Sequence, residues 1–112
     1  MKDIRQKFYF RVQRAMELLG NPIRQKIFLR LIAEGCDCDI ENQTGYSGNC
    51  VKGIMKELKL PQSTVSTYIK DLIDGEVIEC SKNGKYVYCR PKKETLIALK
   101  SFVDGGLSRL TY

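Results

Sequence analysis

Histidine and tryptophan are absent from this chain of 112 residues, and proline occurs only three times. Without histidine there is no Ser-His-Asp or Cys-His nucleophilic arrangement, and the imidazole ligands that usually hold zinc, nickel or cobalt are missing. No catalytic constellation supports an enzyme. Nor is there a long apolar run. The opening MKDIRQKFYF mixes charges with aromatics, which argues against a signal peptide, and no later stretch has the length to span a bilayer. The sequence therefore predicts a cytoplasmic protein with no membrane partner. Thiols stay reduced in that compartment, so an odd number of cysteines, five, points to metal binding, redox sensing or burial and away from a disulfide framework.

What is present is a single domain's worth of chain, 43% hydrophobic, with 19 Lys+Arg against 13 Asp+Glu. The formal charge of +6, doubled to about +12 in a dimer, favours a polyanionic partner such as DNA or RNA over an acidic small molecule. Dimerisation follows from size, since so short a chain covers a further apolar face most readily with a second copy of itself.

Apolar residues Ile4, Phe8, Val12, Ala15, Met16 and Leu19 recur at helical spacing until Gly20-Asn21-Pro22 ends the pattern. A second helix runs from Pro22 through Ile23, Ile27, Phe28, Leu31 and Ile32 to Gly35. Residues 35–49, GCDCDIENQTGYSGN, have no apolar period and read as a loop. A short helix over about Cys50 to Leu58 and another from Gln62 to about Asp74 are joined by the turn Lys59-Leu60-Pro61. The run VIECSKNGKYVYCR then places two strand-like stretches around Asn83-Gly84, a strong hairpin signal. A last helix, from Lys93 to about Leu110, is interrupted at Gly105-Gly106.

Two helices joined by a three-residue turn and followed by a hairpin give the winged helix-turn-helix order, in which the second helix enters the major groove. The fold expected is mainly α with a small β-hairpin, dimeric. It is one domain over residues 1–112, with dimerisation helices over 1–19 and 93–110, the helix-turn-helix over 50–74 and the wing over 77–90.

On the reading helix Val65, Tyr68, Ile69, Leu72 and Ile73 share one arc, while Ser63, Thr67, Lys70 and Asp74 lie opposite, with Gln62 and Thr64 at the leading end. Short hydroxyls, an amide and a lysine let a helix backbone approach the groove while still bonding base edges and phosphates. Gln62, Ser63, Thr64, Ser66, Thr67 and Lys70 are therefore the candidate DNA contacts, joined by Lys82 and Lys85 at the wing tip. With Asn83 and Gly84 as the turn, Cys80 faces Val87 and Ile78 faces Cys89 on one side of the hairpin. Glu79, Ser81, Tyr86, Tyr88 and Arg90 point to the other. Cys80 and Cys89 are then core residues, free cysteine behaving as a small hydrophobe.

The runs LGNPIRQKIFLRLIAEG, VKGIMKELKLPQSTVSTYIKDLIDGEVIE and NGKYVYCRP resemble the arsenic-repressor (ArsR/SmtB) family of winged-helix repressors. The resemblance covers about residues 12–92 and is most specific in LPQSTVS and GKYVYCR. It implies a homodimer built from the first and last helices, bound to palindromic double-stranded operator DNA and released by an inducer. Many members carry Cys-Val-Cys at the start of the helix before the reader, where this chain has Cys50-Val51-Lys52. The family's other regulatory site, on the last helix, uses histidine with carboxylates; this helix offers Glu94 and Asp104 without histidine, which disfavours zinc or nickel sensing there.

Cys36 and Cys38 sit in the loop before that helix, and glycines at 35, 45 and 48 would let the loop fold back onto Cys50. Three thiolates suit arsenic(III) or antimony(III), whose lone pair occupies one direction of a three-sulfur pyramid; cadmium or lead is an alternative. Lys52 nearby favours thiolate over thiol. The same proximity would also serve a thiol-redox or persulfide sensor closing Cys36 or Cys38 onto Cys50. A ligand-free nucleic-acid-binding module is the third possibility.

Overall fold

The computed structural model describes residues 2–32, 49–83 and 86–110. Helix α1 spans Lys2–Leu18 and α2 spans Pro22–Ile32. The sharp bend between them is set by Asn21, whose side-chain oxygen accepts from the backbone N–H of Ile23 (2.9 Å) and Arg24 (3.1 Å) and so caps α2. Pro22 stands at the first helical position, where a missing N–H costs nothing. The two-residue strand β1 (Asn49–Cys50) leads directly into α3 (Val51–Leu58), and α4 covers Gln62–Asp74. Between α3 and α4 the chain reverses at Lys59, which adopts a left-handed φ of 56° while its N–H still bonds the Met55 carbonyl (2.9 Å). Strands β2 (Ile78–Asn83) and β3 (Tyr86–Pro91) form the wing, and α5 (Lys93–Ser108) completes the chain.

The core gathers Ala15 and Leu18 of α1, Ile27, Phe28 and Leu31 of α2, and Ile54 of α3. Val65, Ile69 and Leu72 of α4, with Val77, Ile78 and Cys89 of the wing, complete it. Gly75, just past α4, is needed for close approach: a Cβ there would lie 2.0 Å from Leu18 Cδ1.

The winged helix-turn-helix expected from the sequence is what forms, with five differences. The hairpin turns one residue later. Asn83 pairs with Tyr86, leaving residues 84 and 85 as the connection, so Cys80 faces Cys89 and Ile78 faces Pro91. Each partner moves two places along the opposite strand, which changes the pairs and preserves the faces. Second, Cys80 and Cys89 close a disulfide, with Cα atoms 4.0 Å apart. The expectation of free thiols fails for this pair because the true register sets them directly opposite one another.

Third, Asn49 and Cys50 form an outer strand on β3, in the order β1-β3-β2, where a loop end and a helix start were expected. Two residues carry no period to read. As the central strand, β3 buries both Cys89 and Tyr88, whereas the alternation of the hairpin alone predicts Tyr88 on the outer side. Fourth, Gly105-Gly106 does not interrupt α5, which runs on to Ser108; both glycines face open space, and the Ser108 hydroxyl donates to the Gly105 carbonyl (2.8 Å). Fifth, the apolar arcs are not buried throughout: Val12 and Ala15 of the first helix are buried within the protomer, while Met16 of the same stripe and Ile73 of the reading helix are exposed.

Candidate nucleic-acid interface

Helix α4 separates its two faces cleanly. Val65, Ile69 and Leu72 are buried, and Gln62, Ser63, Ser66, Thr67 and Lys70 are exposed, with Thr64 half-buried at the leading end. The alternation follows from the 3.6-residue period: anchoring one apolar stripe on the core turns the hydroxyl-bearing stripe outward. The Thr67 hydroxyl donates to the Ser63 carbonyl (2.9 Å), which leaves its oxygen lone pairs as acceptors toward an incoming donor. Lys70 projects from the same side one turn further on.

The orientation of α4 is fixed by residues that the polar pattern did not single out. Arg24 of α2 lies at the centre. Its Nε donates to the Leu18 carbonyl (2.6 Å), its Nη1 reaches Asp71 Oδ2 at 3.5 Å, and its guanidinium carbon lies 5.9 Å from the Tyr68 ring centroid. One side chain thereby ties the end of α1 and the start of α2 to the reader. An ion pair between Arg30 and Glu57 joins α2 to α3.

A second joint forms where α4 passes into the wing. Glu76 takes a left-handed φ of 59°. Its carbonyl accepts from the buried Thr95 hydroxyl of α5 (2.5 Å), and its carboxylate lies 3.4 Å from Lys92 Nζ and 3.9 Å from Arg11 Nη2. Arg11 of α1 donates in turn to the Thr95 hydroxyl (3.1 Å). The outer helices are thus held to the reading unit at a point that the polar pattern gives no reason to expect.

On the wing, Lys82 is exposed close to the tip, while Lys85 lies outside the described residues. Glu79 and Arg90 pair across the ladder at 2.9 Å. Cys36 and Cys38 also lie outside the described residues, and of Cys50 only the backbone is described. That backbone pairs with Tyr88 of the wing on one side and opens α3 on the other. Among the described residues no cluster of three or more His, Cys, Asp or Glu is arranged to hold a metal ion.

Residues 47–79, the helix-turn-helix and the start of the wing, match the family model described as bacterial regulatory protein, arsR family. Over 56 residues the chain is 36% identical to an uncharacterized HTH-type transcriptional regulator, YbzH, of Bacillus subtilis (strain 168), covering 50% of this chain and 56% of that protein. The chain thus spans about half the length of the curated relative it matches. Reduced HlyU from Vibrio cholerae superposes with a TM-score of 0.62 at 14% identity, over 91% of this chain and 94% of that one. A homodimeric winged helix-turn-helix DNA-binding domain, Mb0332 from Mycobacterium bovis, does so with a TM-score of 0.56 at 20% identity, over 91% and 82%. At such identities the structures show the fold alone. The family match lies on the LPQSTVS segment that carried the sequence resemblance, and the resemblance to the arsR family stands.

Proposed function

We propose that this arsR-family winged helix-turn-helix chain is a homodimeric transcriptional repressor that reads double-stranded operator DNA with α4 and grips the flanking backbone with its wing. The observation that carries the reading is the exposed Gln62, Ser63, Ser66, Thr67 and Lys70 surface, presented by a helix whose opposite face is locked into the core. Nothing on that surface is bulky enough to hold the helix away from a groove. Base contact falls to Gln62, Ser63, Thr64, Ser66 and Thr67, and phosphate contact to Lys70, Lys82 and Lys85.

The second copy covers the apolar side of α1 and α5. Tyr9, Phe10 and Met16 are exposed on α1, and Phe102, Val103 and Leu107 on α5; Phe102 joins Tyr9 and Met16 along a groove between the two helices. A two-fold dimer built there presents two readers to successive major grooves, about 34 to 36 Å apart.

Release from DNA comes from a thiophilic inducer, arsenic(III) or antimony(III) foremost, held by Cys36, Cys38 and Cys50. The position of Cys50 supports this: its backbone belongs to β1, paired with β3, and precedes α3 without a linker. A pull at this point acts on the wing and on the helix-turn-helix together. Coupling of about 1 to 3 kcal/mol would suffice for induction, with operator DNA weakening ion binding by the same factor.

The test is release of a duplex selected from a random-sequence pool, titrated with arsenite, antimonite, cadmium, zinc and a disulfide-forming oxidant. The reading expects release by arsenite or antimonite, abolished by serine at any one of Cys36, Cys38 and Cys50. Release by the oxidant, with either Cys36 or Cys38 dispensable, would replace the ion with thiol oxidation at the same loop.

A further inference from the structure

The Cys80–Cys89 disulfide is not used by the reading above, and its placement gives it a purpose. It joins the middle of β2 to the middle of β3. On the core side of this staple the hairpin is already secured. Val77 and Ile78 are buried, and Glu79 pairs with Arg90. Beyond it toward the tip the ladder has three pairs, Ser81–Tyr88, Lys82–Val87 and Asn83–Tyr86. Tyr88 is buried, whereas Ser81, Lys82 and Val87 are exposed. The order of Lys82, on the outer part of the ladder, therefore depends on the staple more than that of the base of the wing does.

The two sulfurs are not equally accessible. Cys89 is fully buried in the core, whereas Cys80 is half-buried and packs at the core's margin. The open side of the bond for an attacking thiolate is therefore that of Cys80, since Cys89 is shielded by the core.

We propose that the Cys80–Cys89 disulfide is a redox-modification site that sets the order of the outer ladder of the wing: closed, it holds Lys82 for phosphate contact, and opened by a small dithiol, it releases it. The inference rests on the DNA-binding reading above and concerns thiols other than those of the loop. The chemistry balances without a further reagent. A dithiol's thiolate attacks Cys80 Sγ, forming a mixed disulfide as Cys89 leaves and takes up a proton. The second thiol of the same molecule then attacks the sulfur of its own adduct, releasing Cys80 as a thiol. The dithiol departs as a cyclic disulfide, having given two electrons and two protons to the cysteine pair. A monothiol stalls at the first step, because Cys89 lies directly opposite and returns to expel it.

The sign of the effect separates this site from the loop. Oxidation of Cys80 and Cys89 strengthens DNA binding, whereas a disulfide between the loop cysteines and Cys50 would release DNA.

The experiment measures binding of the full chain to a random-sequence duplex of about 30 base pairs, long enough for two half-sites, by fluorescence anisotropy across a salt series. The oxidised protein is compared with protein opened by dithiothreitol, and alkylation followed by peptide mass analysis reports the state of Cys80 and Cys89. The expected result is roughly three- to tenfold weaker binding after opening, with a salt slope smaller by about 1 for the loss of the Lys82 contact. An equal concentration of a monothiol should leave binding unchanged. Cys80→Ser should bind like the opened protein and ignore dithiothreitol. Equal affinity of the two wild-type forms, a bond that dithiothreitol does not open in the folded protein, or a dithiothreitol response retained in Cys80→Ser would each overturn the inference. The wild-type comparison decides even if the variant does not fold. Failure of the oxidised protein to bind any duplex would instead overturn the DNA-binding reading itself.

Discussion

The inner and outer helices of this protein are built to the same amphipathic rule and end in opposite circumstances. In α2, α3 and α4 the apolar stripes of Ile27, Phe28, Leu31, Ile54, Val65, Ile69 and Leu72 meet one another and are buried. In α1 and α5 only part of the stripe is consumed. Val12, Ala15 and Leu18 of α1 and Ala98 of α5 are buried, yet Met16 stays 58% exposed and Val103 55%. The inner region completes itself within one chain. The outer region leaves apolar surface exposed that the chain does not cover, and in the proposed dimer it is this surplus that a second copy would cover.

Substitutions that separate the two regions test this contrast, and the largest effect is expected inside. Leu72→Ala should lower unfolding stability by about 2 to 5 kcal/mol, since Leu72 is fully buried between the reader and the core. Urea titration would show the loss at every protein concentration, because the contact lies within one chain. A Phe102→Ser, Val103→Ser double variant should behave in the contrary way. It should weaken self-association by on the order of 2 kcal/mol or more, seen by sedimentation equilibrium. The protomer's fold should remain, and the concentration dependence of its melting temperature should disappear. A monomeric wild-type chain at micromolar concentration would break the contrast.

The joint between the regions comes next in size. Gly75→Ala would drive a methyl into Leu18 Cδ1. A loss of about 1 to 3 kcal/mol is expected, because Leu18 belongs to the outer helix α1 and Gly75 follows the reader. An unchanged unfolding midpoint would mean that α1 moves away freely, and that the outer helices are less firmly fixed to the reading unit than Arg24 and Glu76 suggest.

The smallest effect should be on the surface. Lys70→Ala combined with Thr67→Ala should leave unfolding within about 0.5 kcal/mol of wild type, as exposed positions do. Its salt slope for DNA binding should fall by about 1. Unchanged operator affinity would count against α4 as the reader.

The sequence revealed most where a period was long. The apolar recurrence placed α1 and α4 within a residue or two and α2 at its Pro22 start, and the Lys59-Leu60-Pro61 turn located the helix-turn-helix. The wing was legible as a hairpin and not in its pairing. Asn83-Gly84 is a strong turn signal, but pairing Cys80 with Cys89 and Glu79 with Arg90 requires the loop one residue later. A local turn preference of this kind is overruled when several cross-strand contacts agree on another register. The outward face of α4 was readable because its residues are polar where the opposite face is apolar. Arg24, Glu76 and Thr95 were not, because their roles arise from contacts between distant segments: Thr95 and Arg11 are 84 residues apart. The glycine pair in α5 misled for a related reason. A helix tolerates glycine at about 1 kcal/mol each, and two such losses do not end a helix whose first turns are anchored by the buried Thr95 and Ala98.

The most direct test of two chains offering two readers to one duplex is selection of bound sequences from a random duplex pool by the wild-type protein. The account predicts enrichment of an inverted repeat whose half-site centres lie about 10 to 10.5 base pairs apart, or a multiple of that. Enrichment of a single unrepeated half-site, or of no sequence at all, would contradict it.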